Sequence, residues 1–180
     1  MRPKLVLIDR DGVINHDSIE YIKNESEWIP IKNSLVGIRE IQRLGIKVAI
    51  CTNQAGVERG LFSLLDLLMI HDKLNKELID AGGSSLRIFF CPHNPGQKCN
   101  CRKPRPQLLQ TAMDCFGLGP KDTVFVGDSV KDIEAAKKAG CDYVLVETGN
   151  GKESLVKTGL LGSRQHIKDL FSYSVRLAKS

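Results

Sequence analysis

Five short, almost unbroken apolar runs limit the folds open to this chain more than any other feature: KLVLI (4–8), KVAIC (47–51), LRIFF (86–90), TVFVG (123–127) and DYVLVE (142–147). A strand with one face in water alternates apolar and polar residues. These runs are apolar on both faces, as strands are inside a parallel sheet covered on two sides. Between them lie segments with helical spacing, SLVGIREIQRL (34–44), SLLDLLMIHDKLNKELIDAG (63–82), RPQLLQTAMDCFG (105–117) and VKDIEAAKKAG (130–140). That alternation predicts an α/β fold with a doubly wound parallel sheet. Gly45, Gly82, Gly117 and Gly140 stand where the helices should stop. IKDLFSYSVRLAK (167–179) predicts a last amphipathic helix packing back on the sheet, and the Gly-Ser-Arg at 162–164 a loop.

With 180 residues the chain suits one domain, 1–180, with a full core. Its net charge of +5 is compatible with an anionic substrate and is weak support for nucleic acid. The basic patch CRKPR (101–105) has few aromatics to interleave with, since these make up 6% of the chain, so single-strand binding is disfavoured. No apolar run approaches the roughly 20 residues of a membrane span, and the apolar stretch near the N-terminus is too short for a secretory signal. Six cysteines in such a chain argue free thiols in a reducing cytoplasm rather than a disulfide framework. Cys51, Cys115 and Cys141 read as packed thiols.

The polar signals fall where the predicted strands end, which is where open parallel sheets bind ligands. LIDRDGVIN (7–15) leaves its strand into Asp9 and Asp11, which two-residue spacing in an extended segment turns the same way. The second strand ends in Thr52, Asn53 and Gln54, the third leads on to Arg102 and Lys103, and the fourth ends in Gly127, Asp128 and Ser129, with Asp132 beyond. Within CPHNPGQKCNCRKP (91–104), Cys91, His93, Cys99 and Cys101 supply three thiolates and an imidazole. That donor set suits closed, tetrahedral, structural zinc. No CxxC is present to favour a redox motif.

The ordered set Asp-x-Asp-Gly, Thr-Asn, Lys-Pro and Gly-Asp-Ser-x-x-x-Asp resembles the haloacid dehalogenase (HAD) superfamily of phosphohydrolases, over residues 4 to about 150. The resemblance implies a HAD-like Rossmann-type sheet and a magnesium-dependent phosphatase. Asp9 would be the nucleophile and Asp11 the general acid and base. Thr52 and Lys103 would face the phosphoryl oxygens, and magnesium would be held by Asp9, the Asp11 carbonyl and Asp128. The cysteine loop narrows this to a zinc-containing branch that includes heptose-bisphosphate phosphatases and histidinol-phosphatases. DRDGVINHDSIEYI (9–22) and TNQAGVERGLF (52–62) look more like the heptose family, which feeds glycan precursors of the bacterial envelope, with histidinol phosphate or another sugar phosphate as the alternative. The resemblance further implies substrate contacts from Arg10, Asp17, Tyr21, Asn53, Gln54 and Arg102, and a monomer. Ser129 stands where some relatives carry a substrate-contacting Lys, with Lys131 as a substitute, and Lys32-Asn33 replaces a Pro-Gly turn. Glu58 reads most simply as a solvent-facing charge. The intervals from Asp11 to Thr52 and from Thr52 to Lys103 are too short for a separate cap domain, so segment 16–24 and the cysteine loop should shield an open site.

Overall fold

The computed structural model describes residues 2–180. Six parallel strands, β1 (Leu5–Ile8), β2 (Lys47–Asn53), β3 (Arg87–Cys91), β4 (Thr123–Gly127), β5 (Asp142–Val146) and β6 (His166–Ile167), form one sheet in the order β3-β2-β1-β4-β5-β6. Six helices cover it: α1 (Ser34–Arg43), α2 (Leu64–Asp80), α3 (Gln107–Phe116), α4 (Val130–Ala139), α5 (Gly151–Thr158) and α6 (Leu170–Ala178). The central strand β1 shows why its run is continuous. Val6 and Ile8 face the layer of α1, α2 and α6, while Leu5 and Leu7 face α3 and α4, and all four are fully buried.

Several boundaries move for local reasons. β2 runs on to Asn53, so Thr52 lies within the strand rather than after it, and β3 ends at Cys91, the first thiol of the metal loop. Ser63 and Asp66 form a capping box that starts α2, and Ser129 and Asp132 form another at α4. Asn33 takes the left-handed conformation (φ 64°) that Asn tolerates better than most residues. β6 and α5 had no counterpart in the apolar pattern. β6 has only two residues, and α5 has only Gly151, Ser154 and Leu155 buried, too few to show a period. The tail helix forms as expected, but it packs mainly on α1, where Leu170 approaches Gly37 closely enough to exclude any side chain there. Among the described residues, no helix is long and apolar enough to cross a membrane.

Candidate active site

The chain runs β1, β2, β3 outward to one edge and then returns to build β4, β5, β6 on the other, so the strand order reverses between β1 and β4. A crevice opens at such a point beyond the carboxyl ends of the strands. Asp9 follows β1 and Asp128 follows β4, and the Asp9 amide donates to Val126 O at 2.9 Å, fixing the two exits side by side. Two glycines close around Asp128. A Cβ on Gly12 would stand 2.1 Å from Asp128 Oδ2, and one on Gly149 2.2 Å from it, and both have positive φ.

Lys103 is 2% exposed, and its Nζ lies 2.8 Å from Asp9 Oδ1 and 2.7 Å from Asp132 Oδ1. Burial alone would lower its pKa, but the two carboxylates outweigh that and raise it. The other Asp132 oxygen accepts from the Ser129 amide and hydroxyl, at 3.0 and 2.6 Å. Asp132 therefore has both oxygens occupied and serves to hold Lys103. One ligand oxygen from each of Asp9, Asp128 and Asp132 lies within 4.8 Å of the others. Three carboxylates against one ammonium leave excess negative charge. Burial first, and then the neighbouring carboxylates, raise Asp9 well above its ordinary pKa and push Asp128 up to about 7. With Asp132 engaged, Asp9 and Asp128 remain as hard oxygen donors, a set that fits a divalent cation such as magnesium.

Asp11 stands apart from that cluster. Its Oδ1 accepts from Arg10 Nε (3.0 Å) and Asn15 Nδ2 (2.9 Å), and its Oδ2 from Gln54 Nε2 (2.8 Å). Burial would raise its pKa, but Arg10 and these donors outweigh burial and lower it. Arg10, expected to touch substrate, is 1% exposed, and its guanidinium lies between Asp11 and His71. Buried His71 is lowered to about 3 by burial and by Arg10, so it stands there as the neutral imidazole. Gln54 also donates to Thr52 Oγ1 (2.9 Å), tying β2 to the Asp11 carboxylate.

Above these groups lies a cavity of about 460 Å³. Asp17, Tyr21, Asn53, Gln54 and Arg102 all line it, as do Lys131 and the α5 residues Glu153, Ser154 and Lys157. Asn53 exchanges hydrogen bonds with the Lys103 backbone (3.0 and 3.1 Å), and Arg102 donates to His93 O at 3.1 Å. Asn150 escaped the sequence reading. Its amide donates to Asp128 Oδ2 at 2.8 Å, and its side chain reaches Asp128 and Asp17 at 3.2 and 3.3 Å. The Gly-Asn-Gly at 149–151 was its one signal, a turn opening a helix that the pattern had not revealed. Glu58 is exposed, and it also accepts from the Asn94 amide at 2.9 Å and from the Gln97 side chain.

In the cysteine loop, the Cys91 sulfur lies 3.2 Å from that of Cys101 and 3.9 Å from that of Cys99, and His93 Nδ1 lies 3.5 and 3.3 Å from Cys91 and Cys101. Zinc–sulfur bonds of about 2.3 Å in a tetrahedron place sulfurs about 3.8 Å apart, so the four donors fit zinc. All of these cysteines are free thiols. Burial, and then the hydrogen bond with Cys101, push Cys91 up to about 12, so a cation is needed before the thiolates can coexist.

The family model described as HAD-hydrolase-like matches residues 100–170. Over 154 residues, 86% of its length and 88% of the relative's, the chain is 43% identical to the D-glycero-beta-D-manno-heptose-1,7-bisphosphate 7-phosphatase of Pseudomonas putida. It is 43% identical to the protein of that name from Pseudomonas aeruginosa, over 87% of this chain and 88% of the other. The crystal structure of the D,D-heptose 1,7-bisphosphate phosphatase from Bordetella bronchiseptica, complexed with magnesium and phosphate, superposes with a TM-score of 0.93 at 39% identity, covering 98% of each chain.

Proposed function

Because the chain belongs to the heptose-1,7-bisphosphate 7-phosphatase family of HAD-like hydrolases, we propose that it removes the 7-phosphate of D-glycero-D-manno-heptose 1,7-bisphosphate through an aspartyl-phosphate on Asp9. The observation that carries the residue roles is the switch-point cluster, in which Lys103 holds Asp9 Oδ1 at 2.8 Å and leaves Oδ2 without a hydrogen bond. That oxygen attacks phosphorus while Lys103 and Thr52 face the phosphoryl oxygens. Asp11 gives its proton to the departing sugar oxygen. It then takes one from the water that cleaves the aspartyl-phosphate, so its protonation is restored over the cycle. Its lowered pKa suits the base of the second step, and an arriving phosphate, a like charge beside it, raises that pKa for the first.

Magnesium is assigned to Asp9, the Asp11 carbonyl and Asp128, and when bound it supplies the positive charge that lets a carboxylate approach a phosphate. Zinc is assigned to Cys91, His93, Cys99 and Cys101, where it fixes the loop that carries Arg102 and Lys103. Arg102, Asp17, Tyr21 and Asn53 face the sugar. Arg10 and Gln54 line the same cavity while hydrogen-bonding Asp11. One domain, working as a monomer in the cytoplasm, completes the reading, and light scattering at the mass of a dimer would overturn the monomer.

The deciding experiment measures phosphate release with magnesium from both anomers of the bisphosphate and from histidinol phosphate. The β anomer, for which both Pseudomonas relatives are named, should be preferred. Faster turnover of histidinol phosphate would overturn the reading.

Two further outcomes follow. Asp128 must lose its proton to bind a cation, and its pKa is about 7. Asp9, raised in the same direction, must do so too, so magnesium affinity, measured by titration of activity or melting temperature, should fall roughly tenfold or more per unit below pH 7. A flat affinity between pH 5.5 and 7 would sink this assignment. Cys99→Ser should lower zinc content and melting temperature and reduce turnover while sparing the nucleophile. Full activity and full metal content in that variant would remove the structural zinc.

A further inference from the structure

We propose that Arg59 is a positioning residue that ties the cysteine loop to the sugar-facing wall of the cavity through Tyr21. Arg59 Nε donates to Asn94 Oδ1 at 3.0 Å, and its NH1 donates to the Tyr21 hydroxyl at 2.5 Å, with the guanidinium carbon 5.6 Å from the centre of the Tyr21 ring. Asn94 and Gln97, both between the loop's metal-ligand candidates, are also held by Glu58, the residue before Arg59. One dipeptide thus grips the loop with both side chains and reaches across to segment 16–24 with one of them.

Tyr21 needs such a hold. It is one of two non-glycine residues among those described with positive φ, at 66°, a conformation that is unfavourable for a bulky residue unless its surroundings enforce it. Tyr21 lines the cavity beside Asp17 and Arg102. Since the phenol oxygen accepts from Arg59, its own O–H remains free to donate to a sugar hydroxyl. Losing Arg59 would therefore move this sugar contact, while Lys103 stays held by Asp9 and Asp132 and its loop by the four metal-ligand candidates. The effect belongs in substrate binding, not in the chemical step.

The inference rests on the cavity being the sugar site, and the test separates the two. Arg59→Ala, Arg59→Lys, Tyr21→Phe and the Ala/Phe double variant are assayed on the heptose bisphosphate and on p-nitrophenyl phosphate, which has no sugar. Zinc content is measured for each, and the dissociation constant of a sugar monophosphate is measured by calorimetry in an Asp9→Asn background. Arg59→Ala should raise KM for the bisphosphate about tenfold at unchanged kcat, weaken the calorimetric binding equally, and leave p-nitrophenyl phosphate unaffected. Arg59→Lys should recover part of the loss, and adding Tyr21→Phe should cost little more. Additive losses, equal losses on both substrates, or an unchanged KM would overturn the coupling. If the wild type does not favour the heptose bisphosphate, the substrate assignment fails, and the coupling is read on the sugar phosphate it turns over best.

Discussion

Asp9→Asn should lower kcat by at least about 10⁴-fold and leave the melting temperature unchanged or raised. The two effects have different origins. The amide is nearly isosteric with the carboxylate but cannot attack phosphorus, so the covalent route closes. Stability follows the charges instead. Asp9 is crowded by burial and by the carboxylates of Asp132 and Asp128, which raise its pKa against the single ammonium of Lys103. Removing one of three like charges relieves that repulsion, while Lys103 keeps its 2.7 Å partner Asp132. The rise in melting temperature on adding magnesium should shrink in this variant, because a proposed ligand is gone. Phosphate release and calorimetric melting on one preparation decide the matter. Residual turnover within a hundredfold of wild type would remove Asp9 as nucleophile, and an unfolded variant would refute the electrostatic account.

The five longer strands and the first four helices were legible because each buries a face large enough to leave a period in the sequence. The short α5 and two-residue β6 leave none, and with them went Asn150, which grips Asp128 from the start of α5. Asp9 and Asp128 could be found as polar groups at strand ends, and Lys103 in the loop that follows the third strand, positions the topology makes meaningful. What the sequence could not show was how polar groups share partners. Arg10 looks like a cation offered to substrate, yet its guanidinium is buried against Asp11 and His71. Asp132 carried no role that the sequence could assign, and across the fold the Ser129 cap and Lys103 occupy both its oxygens. Such pairings depend on distances across the fold, between residues as far apart as Lys103 and Asp132, which no local pattern encodes.

Lys103→Met should be the most damaging substitution to the folded state, because it removes the one ammonium in contact with the carboxylate cluster. Lys103 and Asp132 are 2% and 3% exposed, so water does not compensate, and breaking a buried pair of this kind costs about 3–5 kcal/mol. The electrostatic contribution to turnover should fall by about 10²–10³-fold. Methionine keeps most of the unbranched stem that sets Nζ 5.1 Å from the Phe125 ring centre, so packing is largely retained. The loss should depend on pH, with a determined sign. Without the ammonium, the folded carboxyl groups hold their protons to higher pH, whereas the unfolded chain releases them near the ordinary value of about 4. Over that interval the folded state binds more protons, so its stability falls as pH rises. The deficit relative to wild type, read from urea midpoints, should be small near pH 5 and largest near pH 8, where magnesium should restore part of it. A deficit that stays constant with pH would mean that Lys103 stabilises the fold by packing on Phe125 and not by balancing the charge of Asp9 and Asp132.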